Sequence, residues 1–262
     1  MKWMLSACLA LVCAGLLAQQ NAGLVTYEEA FNLDAEINVE EEGGEDPFAD
    51  MPPEIAEQIK AAMATLPTNK KQLLFSPSAS VMSNVVEEEK ATPPGDGMGG
   101  VMIMVESDQG NDIIHHDVAT GKVTEQRELL DKKFLIERAP QELAWKITGQ
   151  QKTLLDQLVI EATTVLDSSE VVAWFAPQIP VSTGPQGMGG LPGLILELSL
   201  EGGEVTYTAT AIDFRAVEED DLKAPKKGKK LSSEEFQKIQ EERMEDMQGG
   251  GGGVQMMIRI ED

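Results

Sequence analysis

Alternation of apolar and polar positions with a period of two is the strongest pattern in the chain. Between positions 194 and 200, four leucines fall on one face of a strand, and Glu197 and Ser199 fall on the other. Two glycines then interrupt the pattern, which resumes at Val205 and continues to position 211. The arrangement predicts a β-hairpin with its turn at the glycine pair.

Shorter segments of strand character occupy most of the remaining sequence. Consecutive strands joined by short turns predict a largely antiparallel sheet, and so many strands do not remain flat. We therefore predict a mainly β (α+β) fold, a curled antiparallel sheet or open half-barrel. The other predicted strands are 24–39, 72–75, 78–86, 101–105, 113–118, 123–130, 134–138, 144–148, 154–166, 171–175 and 254–260.

Two segments have helical spacing instead. Residues 54–66 follow a proline pair and repeat apolar side chains every three or four positions. Residues 232–248 begin with a capping box formed by Ser232 and Glu235, flanked by the apolar pair Leu231 and Phe236. We expect both helices to pack on the sheet.

The first eighteen residues predict export. Lys2 precedes an apolar run at 5–17, which is shorter than the roughly 20 residues a spanning helix needs, and Ala18 suits signal cleavage. Lipoprotein-type processing at Cys8 is the alternative. Positions 19–262 are predicted to form a single β-rich domain, with a flexible Gly/Pro loop at 91–100 and a basic linker at 223–230. The expected location is the periplasm or another exported compartment.

Charge and cysteine content narrow the function. Loss of the signal removes Lys2 and both cysteines, leaving 20 basic against 45 acidic residues and a net charge of −25. A surface this acidic repels phosphate backbones, so nucleic-acid binding is not expected. Stability must come from a packed core because no disulfide can form.

The sequence offers no catalytic or cofactor motif. His115 and His116 are the only histidines, and neighbouring residues on a strand face opposite ways, so they predict no metal site. A Gly-x-Ser-x-Gly motif is absent, and the glycine tracts lack the Lys-Ser/Thr of a phosphate loop. We predict a protein that is not an enzyme and uses no cofactor or metal.

The hexapeptide Gly-Leu-Pro-Gly-Leu-Ile at 190–195 is the most distinctive string. Together with Trp174 and the segment Ala-Pro-Gln-Ile-Pro at 176–180, it resembles the GLPGLI family of exported Bacteroidota proteins over about 145–215. The resemblance implies a lipoprotein-carrier-like curled sheet, no established activity, and a role in the cell envelope near TonB-dependent receptors. Met188 departs from the aromatic residue that commonly follows Gly-Pro in that family. The residues themselves favour a shaped loop leading into the strand that begins at Leu194.

Three functions follow as hypotheses. The leading one is a non-enzymatic periplasmic binding or carrier protein for an apolar, lipid-like ligand held on the concave sheet face and gated by the helices. The alternative is a protein-interaction accessory module for an outer-membrane TonB-dependent receptor, contacting it through the loop 177–192. A copper-handling protein is a distant third, because the chain has 13 methionines and thioethers bind Cu(I). An open apolar cleft above ~300 Å³ would favour the carrier, and a closed, well-packed sheet the interaction module.

The candidate ligand-binding or interaction residues share apolar or aromatic character and lie on the strands and loop just described. They are Met102, Met104, Trp174, Phe175, Pro177, Met188, Leu191, Pro192, Leu194 and Tyr207.

Overall fold

A computed structural model describes residues 21–31, 69–85, 102–105, 112–129, 132–140, 142–248 and 255–258. Within these ranges the chain forms fourteen strands and one α-helix, so the mainly β prediction is confirmed. The strands are β1 Gly23–Phe31, β2 Asn69–Phe75, β3 Ala79–Asn84, β4 Met102–Val105, β5 Ile113–Asp117, β6 Val123–Leu129, β7 Lys132–Arg138, β8 Lys146–Leu154, β9 Gln157–Leu166, β10 Ser169–Ala176, β11 Leu194–Leu200, β12 Val205–Phe214, β13 Lys229–Leu231 and β14 Gln255–Ile258; the helix is α1 Ser233–Gln248.

Twelve of these strands form one open sheet in the order β13-β7-β6-β5-β3-β2-β1-β12-β11-β10-β9-β8. Each neighbouring pair is antiparallel except β13 and β7, which run parallel. The sheet is continuous because β1 pairs with β2 on one side and with β12 on the other. It thereby joins the strands β2, β3, β5, β6, β7 and β13 to the strands β8–β12. Strands β4 and β14 form a separate parallel pair.

The sheet has one face packed into the core and one face that is partly open. Along β1, residues alternate between buried and half-buried, with Val25 and Tyr27 fully buried. We call the side of Tyr27 the inner face; Leu73, Met82 and Tyr207 lie on it in register. The opposite side is the outer face.

A loop of the chain covers the inner face. We call residues 177–193 the cover loop; its side chains Ile179, Val181, Met188 and Leu191 are buried in the main hydrophobic cluster. Its backbone is bonded to the start of β11, where the Leu194 N–H donates to the Ile179 carbonyl at 2.9 Å. The inner face is therefore filled by the protein's own residues.

Helix α1 begins as the sequence predicts. The Ser232 N–H donates to the Glu235 carboxylate at 2.8 Å, and the Glu235 N–H donates to the Ser232 hydroxyl at 3.2 Å, which is the reciprocal capping box. Phe236 packs on Phe134 of β7, with ring centroids 5.6 Å apart. The two-helix detail of the prediction is not confirmed, because the segment 54–66 lies outside the described residues, as do the predicted signal at 1–18 and the loop at 91–100.

The two edge strands are irregular. In β8 the register slips between Ile147 and Gln151, and Gly149 at the slip has φ +87°. At the other edge, β13 has only three residues, two of them exposed lysines. The predicted basic linker at 223–230 therefore ends inside this short strand.

Candidate functional site

The structure places five of the ten predicted site residues in the core. Phe175, Leu191, Leu194 and Tyr207 are no more than 2% exposed, and Met188 is also buried. None of these five residues lines the cleft described below. The predicted apolar face exists, and the cover loop occupies it.

The remaining predicted residues are scattered. Trp174 and Pro177 are half-buried, and Pro192 is exposed. Met102 and Met104 lie on β4, outside the residues whose side chains are described, so the copper hypothesis stays a prediction.

The hexapeptide has the structural role that its residue types predict. A Cβ atom added at Gly193 would collide with the carbonyl oxygen of Ala176, so only glycine allows this close backbone approach. Gly190 has φ +87°, in the left-handed region that favours glycine. Leu191 between them is buried and anchors the turn, and β11 begins directly after it at Leu194.

Buried hydrogen bonds hold the cover loop on the inner face. The Gln186 amide of the loop donates to the Tyr207 hydroxyl at 2.6 Å. Just beyond the loop, the Tyr27 hydroxyl donates to the Ile195 carbonyl of β11 at 2.6 Å. The Thr183 hydroxyl lies 2.6 Å from the Ser80 hydroxyl and 2.9 Å from Nδ1 of His116. These bonds satisfy polar groups that would otherwise be buried without partners.

The environment of His116 keeps it neutral. Burial is the largest cause that lowers its pKa, to about 4, and the positive charge of Arg138 lowers it further against the opposing effect of Asp117. The neighbouring His115 lies on the outer face, as expected for adjacent strand residues. No group of three or more His, Cys, Asp or Glu side chains within the described ranges could hold a metal ion.

Two clusters of charged side chains are buried against the sheet. Arg127 is bonded to Asp112 at 3.1 Å and to Glu125 at 2.9 Å, and Glu125 also pairs with Arg138. Lys71 pairs with Glu29 at 3.2 Å where both side chains are almost fully buried. Each charge in these clusters is paired, which is the arrangement that buried ions require.

An open cleft lies on the outer face of the sheet. A cleft of about 470 Å³, which we call the outer cleft, lies between β1–β3 and the segment that follows β12. Its floor is a row of half-buried apolar side chains from three paired strands, Leu24, Leu74 and Val81. Polar side chains continue the floor, and the following segment forms the wall; these residues are Gln72, Ser83, Arg215, Ala216, Val217, Glu218 and Asp221.

The wall of the outer cleft is fixed at both ends and carries charges of both signs. The Arg215 N–H donates to the Ala22 carbonyl at 3.3 Å, and Leu222 beyond the cleft is buried. The Arg215 guanidinium lies 3.4 Å from the Asp213 carboxylate, and both side chains are more than half exposed. An exposed pair of this kind contributes little stability, so the guanidinium is accessible to an incoming polar group.

Sequence reasoning missed this cleft, although one pattern points to it. The run Leu73-Leu74-Phe75 is apolar without alternation, and a strand with one solvated face would alternate. The run therefore indicates that neither face of β2 is fully exposed to solvent. The path of residues 215–221 across the outer face has no comparable pattern in the sequence.

A third arrangement surrounds Trp174 on the outer face. The Lys152 ammonium lies 4.2 Å from the centre of the Trp174 ring and 2.7 Å from the Glu197 carboxylate. Trp174 and Glu197 are opposite one another in the ladder, which explains how one lysine reaches both. The tryptophan thus stays half-exposed in a fixed position.

The class of structure is an open, twelve-stranded and mainly antiparallel sheet whose inner face is covered by its own loop. A family model described as a protein of unknown function (Porph_ging) matches residues 119–197, under a third of the chain. The match contains β6 to β10, the cover loop and the start of β11. The predicted GLPGLI resemblance is consistent with this match, and the matched family has no known function. No curated protein matches the chain.

Two solved structures of PNGF-II are similar in fold. The one in space group P21 has a TM-score of 0.52 at 13% identity, and the one in C2 has 0.51 at 14%. The similarity covers 84% and 83% of this chain but 33% and 32% of theirs, so the chain spans about a third of their length. At such identity the likeness concerns the fold alone.

Within the part of the chain that the structure describes, no helix has the length and apolarity to cross a membrane.

Proposed function

We propose that the protein is a non-enzymatic, exported binding protein that holds a small amphiphilic molecule in the outer cleft. The observation that carries the proposal is the cleft of about 470 Å³ with an apolar floor and a charged wall. Pockets for small ligands occupy about 300–1,000 Å³ and combine apolar walls with a few polar groups. The export part rests on the predicted signal at 1–18.

The ligand class follows from the lining. Leu24, Leu74 and Val81 offer a short apolar surface, which suits the body of a small molecule. Arg215 stands at the wall and suits an anionic head, and Gln72 offers an amide that can donate or accept. This differs from the initial hypothesis, which put the ligand on the face that the cover loop fills.

Ala216 offers a direct test. Ala216→Trp would place a large ring in the cleft mouth, and Val165→Trp is the matched control because Val165 is 67% exposed on β9. Mature protein isolated from its exporting cell would be studied by native mass spectrometry, followed by titration with 1-anilinonaphthalene-8-sulfonate, a small anionic amphiphile. We expect binding by the natural protein and Val165→Trp, and loss in Ala216→Trp. Equal binding by all three would place the ligand elsewhere, and no binding by the natural protein would end the proposal.

A protein-interaction role for an outer-membrane receptor is the second candidate. The observation that favours it is the half-exposed Trp174, fixed by Lys152 and Glu197, because rigid tryptophans with a polar surround are common interface anchors. Trp174→Ala would weaken capture of the receptor by at least tenfold, while Val165→Ala would leave it unchanged. Equal capture by both variants would exclude this surface.

A further inference from the structure

Two lysine groups far apart in the sequence meet at one edge of the sheet. Because β13 pairs in parallel with β7, Lys229 lies opposite Phe134 and Lys230 opposite Leu135. The pairing brings the lysines at the start of β7 beside those of the connecting segment. We call this group the lysine edge: Lys132, Lys133, Lys226, Lys227, Lys229 and Lys230, all exposed.

Two of the six lysines form ion pairs within the described ranges. Lys133 lies 3.5 Å from Glu128, and Lys230 lies 3.2 Å from Glu137. Within the described ranges, no ion pair involves the other four lysines of the group. The result is a local positive surface on a chain whose net charge is −24.

The shape and chemistry of the lysine edge favour a flat partner. Lys229 projects toward the inner side with Phe134, and Lys230 toward the outer side with Leu135, so the charges surround an edge and line no groove. All six are lysines, whose compact charges suit diffuse attraction, whereas arginines would favour paired recognition of single carboxylates. A layer of anionic headgroups meets these conditions better than an extended acidic peptide, which needs a groove or a free strand edge.

We infer that the lysine edge docks the protein on an anionic membrane surface through lipid phosphate headgroups. The contact is electrostatic and does not insert into the bilayer. The large hydrophobic side chains that are exposed within the described residues are Ile147, Leu158 and Val165, all at the opposite edge of the sheet. Glu128 and Glu137 pair with two of these lysines, and the exposed Glu234 and Glu235 follow at the start of α1, so the six lysines outnumber these four carboxylates. Charges farther away are screened beyond about 8 Å at physiological ionic strength.

The test is sedimentation of the mature chain with vesicles of phosphatidylcholine alone or with about one-third phosphatidylglycerol. Lys227→Gln combined with Lys229→Gln removes two charges from the lysine edge. The matched control, Lys70→Gln with Lys146→Gln, removes two exposed charges on β2 and β8, away from β7 and β13. Thermal unfolding of each variant checks that the fold is retained.

We expect binding only to the anionic vesicles, at low salt, and its loss in 0.5 M salt. Each lysine near such a surface contributes about a fivefold factor, so the lysine-edge variant should bind about 30-fold more weakly and the control about equally to the natural protein. The inference is wrong if the two variants weaken equally, if neutral vesicles bind as well, or if no vesicle binds. Binding to soluble polyglutamate without vesicle binding would indicate an acidic protein partner and would also overturn it. None of these outcomes depends on the outer cleft.

Discussion

Replacement of Leu191 by alanine tests whether the cover loop is part of the core or a free surface. Leu191 is 2% exposed and belongs to the main hydrophobic cluster. The change removes three carbon atoms from the core, which costs about 2.4 kcal/mol in transfer free energy at ~0.8 kcal/mol each. The cavity left behind adds to this, and comparable replacements cost about 2.7–5 kcal/mol. We expect a loss of about 3–4 kcal/mol in the free energy of unfolding.

The assay is guanidinium and thermal unfolding of the mature protein. For a chain of this length, about 3 kcal/mol corresponds to a decrease in Tm of roughly 6–12 °C. Pro192→Ala is the control, since Pro192 is the next residue and is exposed. It should change stability by less than about 0.5 kcal/mol.

The result also bears on the loop's function. If Leu191→Ala cost less than about 1 kcal/mol, the loop would not be held on the inner face in solution. The inner face would then be open to a ligand or partner. A large loss for Leu191 beside a small one for Pro192 would confirm that the cover loop stabilises the fold.

Three further predictions concern other contacts. The pKa of His116 is lowered from about 6.5 to about 4 in the folded protein, so between these values the unfolded chain binds a proton that the folded chain does not. The free energy of unfolding should therefore be highest above pH 6.5 and fall by up to about 3 kcal/mol toward pH 4. His116→Asn should flatten this part of the profile of unfolding free energy against pH. Lys71→Met leaves Glu29 as an unpaired buried charge and should cost about 3–5 kcal/mol in denaturant unfolding, whereas adding Glu29→Gln should recover most of the loss. Gly193→Ala should lower Tm far more than Gly202→Ala. The added methyl group at Gly202 meets open space, so that change costs only the left-handed backbone conformation, about 1–2 kcal/mol. Equal effects of the two changes would contradict the close backbone approach at Gly193.

Elements fixed by local chemistry were predictable from the sequence. The strand at Leu194–Leu200 has the predicted bounds, because leucine alternation and the preceding Pro-Gly pair act within a few residues. Helix α1 begins at its predicted capping box for the same reason.

Other elements depend on contacts that no local pattern records. The turn between β8 and β9 uses Leu155 and Asp156 with φ of 50° and 60°, and a leucine in that conformation gives no turn signal. The cover loop binds to residues about 70 to 100 positions away, such as His116 and Ser80. The outer cleft likewise depends on the path of the chain after β12. Five of the ten predicted site residues therefore lie in the core, and the outer cleft is lined by residues that the sequence did not single out.

The irregular edges of the sheet bear on aggregation. A twelve-stranded open sheet would expose two rows of unpaired backbone groups that can template the addition of another chain. The register slip at Gly149 interrupts the row of unpaired backbone groups along β8. At the other edge, β13 offers a row of only three residues, and two of them are exposed lysines. Removal of residues 229–248 would uncover β7 with its apolar side chains Phe134 and Ile136. A shortened chain of this kind should form fibrous aggregates at concentrations where the intact protein remains dispersed.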